Sequence, residues 1–119
     1  MNKVFKVGLI GCGHISETYF RGHKYFNNFK IIKCADINAN AARKCAQTYN
    51  IKAVTVEEIL RDSEIEIILN LTIPKAHYEI TKKSLDSGKH TYSEKPMAVN
   101  FVDGKKLLSS AKEKKLYIG

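Results

Sequence analysis

Two glycines one residue apart, set between an apolar run and a helical repeat, constrain this chain most. Lys3 to Ile10 is apolar in the manner of a strand buried on both faces, and it stops at Gly11-Cys12-Gly13. From His14 the period changes. Ile15, Tyr19, Gly22, His23 and Phe26 recur at helical spacing, and Asn27-Asn28 closes the segment. A strand that bends through glycines straight into a helix opens a strand–helix–strand unit, which points to a layered α/β architecture.

The alternation continues to the last residue. Phe29 to Ala35 reads as a second strand stopping at Asp36, and Asn38 can cap a helix whose small inner face is Ala39, Ala42, Ala46 and Tyr49. A short third strand holds Ala53 and Val54. Thr55-x-x-Glu58 has the form of a capping box for a brief helix ending near Arg61, with Glu57 also near its positive end. Ile65, Ile67, Ile68, Leu69 and Leu71 form the most apolar strand. Pro74 suits the first turn of the next helix, and Gly88 suits its end. Lys89 to Ser93 reads as a fifth strand. Asn100-x-x-Asp103 resembles a cap for a helix presenting Phe101, Gly104, Leu108 and Ala111 inward, and Leu116-Tyr117-Ile118 begins a sixth strand.

No linker, repeat or low-complexity tract interrupts this pattern. Short connections imply right-handed crossovers and a doubly wound parallel sheet. The expected architecture is a Rossmann fold of strand order 3-2-1-4-5-6, with the ligand crevice at the carboxyl ends of the first and fourth strands. Residues 1–119 make one domain, and the chain stops inside a strand. We therefore expect a further domain to lie elsewhere.

Bulk composition excludes several classes. With 119 residues, 44% of them hydrophobic and 27% charged, the chain is of ordinary globular type. No window holds about 18 consecutive apolar residues, so no membrane partner is expected. The N-terminal apolar stretch is short, broken by Lys6, and reads as a strand rather than a signal peptide. Cys12, Cys34 and Cys45 are odd in number and lack C-x-x-C spacing, which argues against a disulfide framework or a zinc site. They are expected to be free thiols in a reducing cytoplasm, and no metal is expected. The net charge is +8, but its lysines are spread out. The densest group, Lys105, Lys106, Lys112, Lys114 and Lys115, reads as a solvated helix face, without a nucleic-acid motif beside it.

The glycine bend points to a cofactor. Gly11-Cys12-Gly13-His14-Ile15-Ser16 is one step from G-x-G-x-x-G. Gly11 permits the tight turn, Gly13 lets backbone approach a pyrophosphate, and the helix N-terminus offers free amides and partial positive charge. Ser16 replaces the third glycine and is small enough to keep a slightly wider helix–strand contact. Asp36, at the end of the second strand, is placed to accept both adenosine ribose hydroxyls. It repels a 2′-phosphate, so NAD is preferred and NADP is the second choice. Arg43 and Lys44 can soften that preference. A methyltransferase pattern, G-x-G-x-G, fails at Ile15.

Two further segments end at the same crevice: Asn70-Leu71-Thr72-Ile73-Pro74-Lys75-Ala76-His77, and Gly88-Lys89-His90-Thr91-Tyr92-Ser93-Glu94-Lys95-Pro96. A lysine beside a cationic nicotinamide has its pKa lowered and can relay a substrate hydroxyl proton as hydride leaves carbon. Lys95 is the candidate for that role, against a plain surface lysine. Glu94 is a candidate ion-pair partner, and Pro96 is a candidate cis proline.

Taken in order, Gly11-Cys12-Gly13-His14-Ile15-Ser16, Asp36, Thr72-x-Pro74-x-x-His77, Gly88-Lys89-His90 and Glu94-Lys95-Pro96 resemble the Gfo/Idh/MocA family of glucose–fructose oxidoreductases and inositol dehydrogenases. The resemblance covers essentially the whole chain, and Glu-Lys-Pro is its most specific part. It implies NAD(P)-dependent oxidation or reduction of sugars, inositols and related polyols. It implies that Gly11, Gly13, His14 and Ile15 line the pyrophosphate turn and that Asp36 holds the ribose. Thr72, Pro74 and His77 would flank the nicotinamide side, with Ile73, Glu94 and Lys95 also counted among the cofactor-binding positions and Lys95 facing substrate. Many members carry Asn or Pro after a Thr-Pro pair where this chain reads Thr72-Ile73-Pro74; Ile73 keeps only an apolar contact. His77 also reads as a first-turn residue touching solvent. The family's second domain supplies the substrate pocket, so this chain is expected to bind cofactor with little turnover. It is expected to be monomeric by itself, within a homo-oligomeric parent. The competing reading is a stand-alone NAD-binding regulatory module.

Overall fold

A computed structural model describes residues 4–23, 28–93 and 101–119. Among the described residues five strands and five helices alternate: β1 (Phe5–Ile10), α1 (His14–His23), β2 (Phe29–Ala35), α2 (Ala39–Tyr49), β3 (Lys52–Ala53), α3 (Val56–Arg61), β4 (Ile67–Asn70), α4 (Pro74–Asp86), β5 (His90–Ser93) and α5 (Phe101–Glu113). All strand pairs are parallel, in the order β3-β2-β1-β4-β5. The expected sixth strand is reduced to a single parallel bridge between Thr91 and Ile118.

Both sheet faces are covered, which is why the central strands are nearly continuous apolar runs. On one face Val7, Leu9, Ile31, Cys34, Leu69 and Leu71 pack with Phe20 of α1 and Cys45 and Ala46 of α2. Phe20 and Tyr49 stack there with ring centroids 3.8 Å apart. On the other face Ile10, Ala35, Ile65 and Ile68 meet Ile59 of α3, with Val56 and Ile80 at the margin. A third cluster joins Leu85 of α4 to Leu107 and Ala111 of α5.

Local signals set the helix ends. The Asn38 side chain accepts the N–H groups of Asn40 and Ala41, and Thr55 and Glu58 form a reciprocal capping box. Pro74 opens α4, and Gly88 follows its end at φ +80°. Two inner faces differ from expectation. In α2 the third buried position is Cys45, whereas Ala39 is exposed. In α5 Leu107 and Ala111 are buried, while Phe101 and Leu108 face outward. Apolar residues on both sides of α5 allow two helical faces one residue apart, and Leu85 selects one of them. Among the described residues no helix is long and apolar enough to cross a membrane.

Candidate dinucleotide site

The bend after β1 is pinned on two sides. Gly11 donates its N–H to the Ala35 carbonyl at 2.8 Å and has φ +105°. A Cβ here would lie 2.6 Å from the Leu71 carbonyl carbon and oxygen and 2.8 Å from the Thr72 nitrogen, so backbone blocks any larger residue. Gly13 is different. A Cβ there would meet nothing within 4 Å, because the position faces open space. Ser16 is buried and donates its hydroxyl to the Gly13 carbonyl at 2.6 Å. The residue in the third-glycine position thus closes the bend from inside, a role beyond the expected tolerance of its size.

Asp36 stands beside the bend, half buried. Its Oδ2 accepts the Cys12 N–H at 2.7 Å, and its Oδ1 accepts the Asn38 N–H at 2.8 Å. A carboxylate has about four acceptor positions. Two remain for ribose hydroxyls, and the two amide donors fix the plane in which they lie.

The facing wall is the β4–α4 turn, organised by a residue whose role spacing did not signal. Asn70 is fully buried. Its Nδ2 donates to the His77 carbonyl and to Thr81 Oγ1, both at 2.9 Å. Its Oδ1 accepts the Thr72 hydroxyl at 2.6 Å and the Thr72 N–H at 3.3 Å. His77 is 1% exposed, and its Nε2–H is bonded to the Thr72 carbonyl. The solvent-facing reading of His77 is therefore corrected. The ring sits behind the turn and holds Thr72 in place through that carbonyl. Pro74 is exposed at the first turn of α4.

Between these walls lies a cavity of about 250 Å³. Gly11, Gly13 and Asp36 line it from one side and Thr72 and Ile73 from the other, so five of the expected positions converge. Ile10, Ile37, Val56, Leu71, Ala76 and Ile80 complete the lining. Sequence reasoning placed Leu71 and Ala76 in a segment ending at the crevice but missed Ile37, Val56 and Ile80; Ile37 is 99% exposed directly after Asp36. An open glycine, a helix N-terminus, a carboxylate with spare acceptors and an apolar slot together fit a dinucleotide. Glu94, Lys95, Pro96 and Asn100 lie outside the described residues, as do the side chains of His14 and Ile15.

Two other residues have places that spacing did not reveal. Lys89, from the Gly-Lys-His segment, is buried, and its ammonium donates to the Asp62 and Ile65 carbonyls, each at 2.7 Å. Burial lowers its pKa. It is a structural tie, away from the cavity lining. His90 Nδ1 accepts the Tyr117 N–H at 3.0 Å, which holds the chain after α5 against β5.

Known proteins match this chain in sequence and fold. Residues 5–119 match the family model described as the oxidoreductase family, NAD-binding Rossmann fold, of Gfo/Idh/MocA proteins. An inositol 2-dehydrogenase/D-chiro-inositol 3-dehydrogenase from Lactiplantibacillus plantarum is 32% identical over 114 residues, covering 92% of this chain and 33% of that protein. Biliverdin reductase from Synechocystis, solved with biliverdin and NADP+, superposes with a TM-score of 0.88 at 25% identity over 95% of this chain and 36% of its own. GenD2 from gentamicin A biosynthesis, solved with NAD, has the same fold at TM-score 0.94 and 17% identity, over 100% of this chain and 34% of its own. The chain spans about a third of the length of these relatives. Its glycine bend, its Asp36 carboxylate and a family match running to the last residue lead to one conclusion: the chain belongs to the Gfo/Idh/MocA oxidoreductases, as their NAD-binding Rossmann fold.

Proposed function

We propose that this chain is the cofactor-holding part of a dehydrogenase that moves hydride between a nicotinamide cofactor and a sugar, inositol or related polyol. The observation that carries the reading is the cavity bounded by Gly11, Gly13 and Asp36 on one side and Thr72 and Ile73 on the other. The bound cofactor supplies hydride transfer at its nicotinamide ring. The chain's own residues do the rest. The α1 N-terminus binds the pyrophosphate, Asp36 grips the adenosine ribose, and the Asn70–Thr72–His77 network orients the turn on the nicotinamide side.

The polyol substrate class is supported by the inositol dehydrogenase relative. Most of the substrate pocket, and a homo-oligomeric assembly, belong in this proposal to a second domain beyond these residues. Lys95 is assigned the proton relay to the substrate hydroxyl. Asp36 favours NAD, because a 2′-phosphate would meet its negative charge. Arg43, the nearest candidate to soften that preference, is exposed and engaged with the Asn40 side chain.

Fluorescence titration of the chain with NADH tests the reading. One saturable site is expected, and absence of binding would overturn it. In a two-domain parent, Lys95→Met should leave NADH affinity within about twofold and cut kcat by about a hundredfold or more; unchanged turnover would remove Lys95 from the mechanism.

A further inference from the structure

Three sulfurs from three separate elements meet beside the bend. Cys12 comes from the glycine turn, Cys34 from β2 and Cys45 from α2, and their Sγ atoms all lie within 4.8 Å of one another. All three are free thiols. Cys34 is fully enclosed and Cys45 nearly so, whereas Cys12 is only partly covered. The cluster is not sealed. A cleft of about 360 Å³ opens onto Cys12 and Cys45, rimmed by Glu17, Lys44 and Thr48.

Ordinary core packing accounts for one buried cysteine, since a thiol behaves as a small hydrophobe. It does not account for three that converge beneath an open cleft, two of them in its lining. The dimensions suit a cation. Zinc–sulfur bonds of about 2.3 Å in tetrahedral geometry set sulfur pairs about 3.8 Å apart. No pair here has to close by more than about 1 Å to reach that spacing. The hydrogen bonds the thiols would give up are weak: Cys12 Sγ donates to the Ala35 carbonyl and Cys34 Sγ to the Ala42 carbonyl, each at 3.5 Å. Sulfur donors select soft cations over Mg²⁺ or Ca²⁺.

We propose that Cys12, Cys34 and Cys45 form a three-sulfur site for one soft, thiophilic cation of the Zn(II) class, entered from the cleft between α1 and α2. Each metal–sulfur bond forms as the thiol proton passes to solvent, with no change of oxidation state. The fourth coordination position opens on the cleft and takes a water. The sulfurs lie outside the lining of the dinucleotide crevice, but Gly13 lines both that crevice and the cleft, and Cys12 belongs to the bend, so the cation would tie the bend to β2 and α2.

Anaerobic titration of the reduced, metal-stripped chain with Cd(II) tests this. A cadmium–thiolate charge-transfer band should saturate at one ion per chain with an apparent Kd below about 1 µM, and Zn(II) should compete for the same site. X-ray absorption of the Cd(II)-loaded chain should count three sulfur ligands. Cys12→Ser and Cys45→Ser should each weaken binding at least tenfold. Cys34 is too enclosed for a clean substitution, so its share is read from that sulfur count in the unaltered chain. A band that fails to saturate at one ion, two sulfur ligands instead of three, or single variants with unchanged affinity would each overturn the site. So would air oxidation to a disulfide in a chain that takes up no metal. NADH is absent throughout, so the result does not depend on the cofactor reading.

Discussion

The Asp36 carboxylate and the Cys12 amide are joined at 2.7 Å across 24 residues of sequence. One oxygen thus braces the glycine bend while the carboxylate keeps acceptor capacity for a sugar. The two jobs separate by cofactor: losing the brace weakens both cofactors alike, whereas losing the ribose grip weakens NADH more. Asp36→Ala should weaken NADH binding by about tenfold or more, the scale of a charge-assisted hydrogen bond, and should weaken NADPH less. Parallel fluorescence titrations check this, and equal losses for both cofactors would remove Asp36 from ribose selection.

The two glycines of the bend should respond in opposite ways. Gly11→Ala puts a methyl against the Leu71 and Thr72 backbone at positive φ, and should cost more than about 2 kcal/mol of folding stability. Gly13→Ala meets open space, so stability should stay within about 0.5 kcal/mol while NADH affinity falls at least tenfold. Urea unfolding and NADH titration of both variants decide the matter.

Asn70 carries the facing wall. Asn70→Ala strips partners from the His77 carbonyl, the Thr81 hydroxyl and Thr72 in one step. A loss of about 2–4 kcal/mol is expected from orphaned buried groups together with the cavity. Denaturant unfolding measures it; a loss under about 1 kcal/mol would mean that water replaces the amide at little cost.

Asp62 sets a pH dependence. Its hydrogen bond from Lys33, then that from the Glu64 N–H, hold its carboxyl below the ordinary 3.8. The unfolded chain takes up this proton first as pH falls. The stabilisation is therefore complete above about pH 4 and disappears as pH drops through the lowered value. Asp62→Asn should flatten the stability profile below pH 4, read by thermal unfolding across acid buffers.

Much of the scaffold was legible because its signals are local. The glycine bend, the Asn38 cap, the Thr55–Glu58 box and Pro74 each depend on neighbours within a few residues. Strand order followed from the doubly wound Rossmann pattern, and it placed Asp36 and Thr72 at one crevice. What stayed hidden depends on contacts between elements. Only the packing of α4 on α5 chooses Leu107 over Leu108 as the inner residue. His77 could not be read as buried without Asn70 and the Thr72 carbonyl around it. The three cysteines show no metal-site spacing, because the sheet rather than the sequence brings them together.

Ile37 stands almost bare to water at the mouth of a slot walled by Ile10, Val56, Leu71 and Ile80. An adenine ring entering that slot would dehydrate Ile37 and the part-exposed Val56 and Ile80 against the already buried Ile10 and Leu71. Calorimetry of NADH association should then show a negative heat-capacity change, with the reaction growing more exothermic on warming. Ile37→Ser should shrink that slope while leaving the polar grip of Asp36 untouched.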